Sequence, residues 1–170
     1  LNPFHRLILK LEQNMFESGQ CRKFIAISEM VKEDILRHYH CPPENISVVY
    51  NGVDLQRFNP ENKDKYRKNI RKELDIPENS TLIIFVGSGF ERKGLKYLLQ
   101  ATKFLHSEDW RLLIMGKGKW HQSLQFAPEN LRSRIIYKEP VPEIEKYYSA
   151  ADIFVLPSIY EPFGNANLEA

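Results

Sequence analysis

Four charged residues in the second half of the sequence have the types and spacing of a site for phosphate and sugar groups. Arg92 and Lys93 are adjacent, and Glu161 and Glu169 lie eight positions apart on either side of Gly164. Arginine offers a planar fork of donors and lysine a compact point charge, a combination that suits a diphosphate. A carboxylate has about four lone-pair sites and can accept hydrogen bonds from sugar hydroxyls. By spacing alone, each pair is equally compatible with ordinary surface charge.

The glycine-rich segment GSGFERKG, residues 87–94, fits neither of the two common phosphate-binding motifs. A dinucleotide fingerprint needs a third glycine where Arg92 stands, and a Walker loop needs Lys and then Ser or Thr directly after Gly94. The broken fingerprint disfavours a Rossmann oxidoreductase. What remains is two cations at the start of a predicted helix, whose dipole would also favour an anion.

Strands and helices alternate from Thr81 onward, and they would position these residues. Four apolar runs predict strands at 81–87, 111–116, 134–138 and 152–157. Helical patterns follow at 93–105, at 119–126, at 142–151 and from Asn165. Successive strand–helix units predict an α/β fold with a Rossmann-like parallel sheet. A ligand should then bind at the carboxyl ends of the strands, in the loops 87–94, 116–120, 139–142 and 157–165.

The first fifty residues have a different organisation. Residues 7–18 have a helical pattern, and residues 23–28 form a predicted strand that leads into a helix capped by Ser28. Residues 45–54 predict a short strand and an Asn-Gly turn. We place a domain boundary at that turn, which gives one domain of residues 1–50 and another of residues 51–170.

A dense group of cations precedes the predicted sheet, and it allows two interpretations. Six basic residues fall within ten positions, while Tyr66, Ile70 and Leu74 recur every four residues, as in an amphipathic helix with a narrow apolar stripe. The cations then form either a solvated helix face or a basic surface for anionic lipid or an anionic acceptor. The six are Lys63, Lys65, Arg67, Lys68, Arg71 and Lys72.

Composition excludes several classes of protein. Hydrophobic residues make up 42% of the 170 residues and charged residues 27%, as in a globular chain and not a disordered one. A net charge of +2 gives no indication of a nucleic-acid partner. No apolar run reaches the length of a transmembrane helix. Two cysteines, Cys21 and Cys41, suit a reducing compartment, and the group His38, His40 and Cys41 lacks the fourth ligand of a zinc site.

Five stretches of the sequence resemble one enzyme family. GSGFERKGLKYLLQA, LLIMGKG and YEPFGNANLEA, in this order, resemble the C-terminal domain of retaining, nucleotide-sugar-dependent glycosyltransferases of family 4, also called group 1, which have the GT-B fold. FIAISEMVKEDILRHY and NISVVYNGVDLQRF resemble the segment that leaves the N-terminal, acceptor-binding domain of that family. The most specific element is the family's E-x7-E motif, here Glu161 and Glu169, coupled to Arg92 and Lys93. Within the family, the sequence is most similar to lipopolysaccharide core glucosyltransferases.

The resemblance implies a role for each candidate residue. Arg92 and Lys93 would neutralise the donor diphosphate in place of a metal ion, so no metal or cofactor is expected. Glu161 would bind hydroxyls of the transferred sugar at the catalytic centre, and Glu169 would bind the ribose. Val141 lies where the family contacts the base, but it cannot stack as the arginine of some relatives does, which leaves the base open. The remaining donor-binding residues are Gly87, Gly116, Phe163, Gly164, Asn165 and Ala166.

The function implied by this resemblance is the transfer of a hexose, with retention, from UDP-glucose to a glycan or glycolipid such as lipopolysaccharide core. The alternatives are a GDP-mannose-dependent mannosyltransferase and a non-catalytic nucleotide-sugar-binding module. We expect a cytoplasmic protein with peripheral contact at the inner face of the cytoplasmic membrane. Because the sequence opens at Leu1 and stops one residue after Glu169, we expect a fragment: a truncated C-terminal GT-B domain with a tail of the N-terminal one, inactive by itself.

Overall fold

The computed structural model describes residues 2–170, which divide into two compact units, one ending at Gly52 and the other beginning at Val53. The first unit contains two helices and two short parallel strands. Ser28 caps the second helix, because its Oγ accepts a hydrogen bond from the backbone N–H of Val31 at 3.2 Å. The elements are α1 (Pro3–Glu17), β1 (Phe24–Ala26), α2 (Glu29–His38) and β2 (Ile46–Val48), with a 3-10 turn at Pro43–Asn45.

The second unit is a four-stranded, fully parallel sheet with helices on both faces. Its strand order is β5-β4-β3-β6, so the first strand of this sheet in the sequence lies between the second and the last. The predicted α/β fold with a Rossmann-like parallel sheet is therefore confirmed. The elements are α3 (Asn62–Glu73), β3 (Thr81–Val86), α4 (Leu95–Ala101), β4 (Trp110–Met115), α5 (Trp120–Leu124), β5 (Ile135–Lys138), α6 (Ile144–Ala150), β6 (Ile153–Phe154) and α7 (Asn165–Glu169), with 3-10 turns at Thr102–Phe104 and Glu129–Arg134.

The two central strands are buried on both faces, as continuous apolar runs in a parallel sheet require. Phe85 belongs to the core on the side of α4 and α5, whereas its neighbour Ile84 belongs to the core on the side of α3 and α6. Leu112 and Leu113 divide between the two cores in the same way. All four side chains are fully buried. This double burial holds the strand ends, and the loops that follow them, in fixed register.

Two details of the sequence analysis were wrong. Residues 51–54 form no turn, and the first turn after β2 lies at 55–57. The last strand is limited to Ile153–Phe154, because only Ile83 and Ile84 of β3 pair with it.

The sequence analysis interpreted all six cations around α3 as facing solvent or an anionic surface. This interpretation was wrong for two of them. Arg71 is only 2% exposed, and Arg67 is half-buried. The guanidinium groups of both bind Asp152, just before β6. The other four cations, all lysines, are exposed.

Candidate functional site

The loops after β3 and β6 lie side by side because these two strands are neighbours in the sheet. The backbone N–H of Ile159 donates to the carbonyl of Arg92 at 3.0 Å. Gly94 has a left-handed φ of +73°, and a Cβ on it would lie 1.8 Å from the carbonyl oxygen of Pro157. Only glycine allows the two backbones to approach this closely. Lys93 and Glu161, which are 68 positions apart in sequence and lie on two separate loops, are thereby brought into one site.

Glu161 is the centre of a charged cluster between these loops. The ammonium group of Lys93 donates to its Oε2, and the hydroxyl of Ser158 donates to the same oxygen at 3.1 Å. Arg92 lies farther out, with Nη1 3.9 Å from that oxygen and hydrogen-bonded at 3.0 Å to the carbonyl of Tyr160. The three residues predicted to be catalytic are thus in contact.

The cluster is partly shielded from water, and this shapes its charge. The side chains of Lys93 and Glu161 are 12% and 20% exposed, whereas that of Arg92 is 50% exposed. Burial by itself would raise the pKa of Glu161, but the hydrogen bond and charge of Lys93, helped by Ser158 and Arg92, hold that pKa below its usual value. Glu161 is therefore ionised at neutral pH and paired with a lysine that is itself almost enclosed.

Four of the residues predicted to bind the donor line one cleft at the carboxyl end of the sheet. The cleft has a volume of about 180 Å³, and its walls combine backbone, apolar side chains and one carboxylate. The four predicted residues in it are Gly87, Gly116, Val141 and Glu169, and the other lining residues are Val86, Ser88, Met115, Pro140 and Ile144.

Glycine is required where the ends of β3 and β4 meet. Gly116 has φ of +150°, and a Cβ on it would lie 2.1 Å from the carbonyl oxygen of Gly87. Gly87 in turn faces Lys93, whose Cγ lies 3.3 Å from the place where a Cβ on Gly87 would be. The stem of Lys93 therefore packs beside Gly87, which lines the cleft, so the charged cluster and the cleft adjoin at this residue.

Glu169, which lines the cleft, has a partner that the sequence analysis did not identify. The hydroxyl of Tyr148, on α6, donates to its Oε2 at 3.3 Å. Burial, then the charge of Glu169, raises the pKa of Tyr148 well above its usual value, so this phenol stays a donor. The sequence analysis places Tyr148 within the predicted helix at 142–151 and gives it no role in the site. Ser158 was likewise missed, since a serine in a loop carries no distinctive pattern.

The turn between the two acids lies outside this cleft. None of Phe163, Gly164, Asn165 and Ala166 is among the residues that line it, although all four are described by the structure. Gly164 opens α7 with a left-handed φ of +78° and lies beside Glu161, whose Cγ is 3.0 Å from the position of a Cβ. The turn is therefore packed against the charged cluster.

Residues 2–170 lack two features that would have suggested other functions. No three His, Cys, Asp or Glu side chains in this range are close enough together to hold a metal ion. No helix in the same range has the length and apolar character needed to cross a membrane.

Residues 66–170 match the family model described as "Glycosyl transferases group 1", and residues 1–57 match the one described as "Glycosyltransferase Family 4". A D-inositol 3-phosphate glycosyltransferase of Corynebacterium glutamicum is 32% identical over 94% of this chain and 40% of its own length. A UDP-Gal:alpha-D-GlcNAc-diphosphoundecaprenol alpha-1,3-galactosyltransferase of Escherichia coli is 31% identical over 92% of this chain and 42% of its own length.

The fold also matches solved structures of known enzymes. The crystal structure of WaaG, a glycosyltransferase involved in lipopolysaccharide biosynthesis, has a TM-score of 0.90 and 25% identity over 99% of this chain. The matched region is 47% of that structure. The chain thus spans about two fifths of the length of these curated relatives and about half of the solved structure.

Proposed function

Because the chain belongs to the group 1 glycosyl transferases, we propose that it carries the donor-binding part of a retaining hexosyltransferase that uses UDP-glucose. In this proposal residues 51–170 bind the nucleotide-sugar, and residues 1–50 belong to the acceptor-binding domain. The acceptor is a glycan or glycolipid such as lipopolysaccharide core. The whole protein's reaction is part of the proposal, since the chain spans only part of its relatives.

The observation that carries the proposal is the junction of the cleft and the charged cluster at Gly87. One side of this residue lines the cleft together with Glu169, and the stem of Lys93 packs against it. A nucleoside in the cleft would present its diphosphate towards Lys93 and Arg92. A sugar attached to that diphosphate would then meet Glu161.

Each residue has a role that its chemistry supports. Lys93 and Arg92 stabilise the negative charge that grows on the departing diphosphate as the anomeric C–O bond breaks. Glu161 accepts hydrogen bonds from the sugar hydroxyls, and Glu169 accepts them from the ribose. Backbone amides from Phe163 to Ala166 hold the sugar and phosphate. We propose that the reaction uses no metal ion and no cofactor.

The Lys93–Glu161 pair gives this site a particular requirement. The ammonium group of Lys93 is bonded to the carboxylate of Glu161, so the diphosphate must share or displace that bond. The enclosed position of Lys93 strengthens its attraction to a diphosphate, which carries two negative charges in a nucleotide-sugar, because less water screens it.

The names of the relatives support a UDP-sugar as the donor, but they include more than one class of acceptor. The Escherichia coli relative is named for a UDP-galactose donor and a diphosphoundecaprenol-linked acceptor, whereas the Corynebacterium relative is named for an inositol phosphate. A lipid-linked acceptor would place the protein at the inner face of the cytoplasmic membrane, and the exposed lysines of α3 offer it a basic surface there. There are two rival functions. One is transfer of mannose from GDP-mannose, and the other is nucleotide-sugar binding without transfer.

Calorimetry on this chain tests the donor site directly. We expect UDP-glucose to bind more tightly than GDP-mannose or ADP-glucose, and Lys93→Ala to weaken UDP binding about tenfold or more, as loss of a charge-assisted contact would. Lys96→Ala, an exposed lysine three residues later, is the matched control and should bind UDP normally. Equal binding by Lys93→Ala and wild type would contradict the diphosphate assignment.

A second measurement separates transfer from mere binding. In a full-length protein that carries this sequence, release of UDP and of the sugar should fall sharply with Lys93→Ala. Tight UDP-glucose binding without any release by the unsubstituted protein would favour the non-catalytic module.

A further inference from the structure

A second concave surface is formed by exposed residues of α4, of α5 and of the loops beside them. Two cavities, of about 790 and 610 Å³, share Tyr97, Gln125 and Phe126 in their walls and so lie next to each other on this surface. One end of this surface is formed by the loop of Gly89 to Arg92, and the other end by Phe104. We call this surface the α4 groove. Of the residues that the sequence analysis predicts to be catalytic or donor-binding, only Arg92 belongs to it.

The walls of the α4 groove present aromatic rings and amide groups to solvent. Tyr97 and Phe104 are 52% and 67% exposed, although they lie on a domain with two well-filled cores. The amide side chains that line the groove are also exposed, and within residues 2–170 none of them has a protein hydrogen bond. They are Gln100, Gln122 and Gln125.

The groove has a positive balance of charge. Four cations line it, against one carboxylate, that of Glu91, among the described residues. Two of the cations lie over aromatic rings: Nζ of Lys96 is 5.0 Å from the ring centre of Phe126, and Nζ of Lys103 is 4.8 Å from that of Phe104. The other two cations are Arg92 and Lys119.

We propose that the α4 groove binds an oligosaccharide that carries negative groups, such as phosphates or uronates. Aromatic rings pack against the apolar faces of sugar rings, carboxamides pair with adjacent hydroxyls because they both donate and accept, and lysines held over the rings bind the charged substituents. A bilayer fits less well, because a membrane takes up protruding rings and not the walls of a concave groove. Single-stranded nucleic acid would use the rings and cations but not the three amides.

The α4 groove adjoins the loop that carries Arg92 and Lys93, and this position suggests what the groove does in the reaction. The groove starts at Arg92, next to Lys93 and Ile159, so a glycan that leaves the transfer centre can extend along it. This last step rests on the proposed function, whereas binding of an anionic oligosaccharide to the groove does not.

The test uses this chain, with hexameric oligogalacturonate as the anionic probe and cellohexaose as its neutral counterpart. Calorimetry measures the affinity of each probe, and amide chemical shifts show which residues it contacts. We expect the anionic probe to bind more tightly and to shift the amides of Tyr97, Gln122 and Gln125. Lys96→Gln/Lys103→Gln and Tyr97→Ala should each weaken binding about tenfold. The matched control, Lys65→Gln/Lys68→Gln on exposed positions of α3, should bind as wild type, and all these variants should keep their affinity for UDP.

Several results would overturn the proposal. These are no binding of oligogalacturonate, an equal loss in the α3 control, or shifts confined to α3. Binding of poly(dT) or of phosphatidylglycerol vesicles through Tyr97 and Lys103 more tightly than of the oligosaccharide would assign the groove to nucleic acid or membrane instead. Loss of UDP binding by the Lys93→Ala variant, with oligosaccharide binding intact, separates this site from the donor site.

Discussion

Two carboxylates flank β6. Their surroundings differ, and the difference distinguishes a carboxylate that stabilises the fold from one that is available to a ligand. Asp152 stands before the strand and Glu161 after it, at opposite edges of the same sheet. Each is paired with two cations, Asp152 with Arg67 and Arg71, and Glu161 with Lys93 and Arg92. The pairs are alike in charge but not in the number of backbone groups that hold them.

The Asp152 cluster is a cross-link between backbone segments. Its two carboxylate oxygens accept from Arg67 at 2.6 Å and from Arg71 at 3.2 Å, and the N–H of Leu82 donates to it at 2.8 Å. Arg71 also donates to four backbone carbonyls, those of Ala150, Pro77, Glu78 and Ser80. Burial would raise the pKa of Asp152, but the Leu82 and arginine contacts lower it overall. A ligand could not displace these bonds without breaking the fold.

The Glu161 cluster has few backbone partners. Among residues 2–170, the ammonium group of Lys93 is bonded only to Glu161, and the guanidinium group of Arg92 is bonded to one carbonyl, that of Tyr160. A phosphate could therefore replace these bonds without disturbing a strand or helix. The difference indicates that the edge at Asp152 serves stability and the edge at Glu161 is available for binding, in line with ligand sites at the carboxyl ends of parallel strands.

The largest effect should come from Arg71→Met. It removes one of the two arginines from Asp152 and takes the Arg71 donor from four backbone carbonyls, so we expect the free energy of unfolding to fall by about 3–5 kcal/mol. Urea denaturation of the chain measures this. Lys72→Met, one residue later and exposed, should change stability by less than about 0.5 kcal/mol. Equal effects of the two substitutions would show that Arg71 is not a cross-link.

A smaller loss is expected where the two loops of the Glu161 cluster touch. Gly94→Ala places a methyl group against the carbonyl of Pro157, on top of the strain of a left-handed φ, and should cost at least about 2 kcal/mol. Gly89→Ala has a similar φ of +75° but open space around the new methyl group, so it should cost about 1 kcal/mol. Thermal unfolding compares the two. Of the two variants, only Gly94→Ala should bind UDP more weakly than wild type. A normal affinity for UDP in Gly94→Ala would show that donor binding does not depend on the contact between the two loops.

The smallest effect is a pH-dependent one at Glu161. Because folding lowers the pKa of this carboxyl, its pairing stabilises the protein fully above the unfolded-state pKa, about 4.3, and progressively less as the pH falls through the folded-state pKa. Glu161→Gln should therefore lower the free energy of unfolding by on the order of 1 kcal/mol at pH 7, and the difference from wild type should shrink below about pH 4. Glu91→Gln, which removes an exposed carboxylate from the same region, is the matched control and should change the free energy of unfolding at pH 7 by less than about 0.5 kcal/mol. A constant difference across this pH range would contradict an ion pair.

The order of the elements followed from the sequence because burial leaves a periodic pattern. The runs at 81–87 and 111–116 predicted strands buried on both faces, and Phe85 and Ile84 do pack into two different cores. The Ser28 cap was predicted for the same reason of local chemistry. The shortness of β6 was not predicted, since an apolar run does not say how many of its residues find a partner strand. The roles assigned to the candidate donor residues stay predictions.

Among the cations of α3, the sequence could not distinguish Arg71 from Lys72, because a pattern of charge does not show which side chain meets Asp152, about eighty positions later. Nor could it show that Lys93 is paired with Glu161, that Tyr148 is bonded to Glu169, or that Tyr97 and Phe104 share a groove. By itself, the sequence determined the α/β class, the helix and strand order and the family, which depend on local periodicity and short motifs. Only the tertiary structure decided which charges are structural and which are available to a ligand, since that depends on contacts between residues distant in the chain.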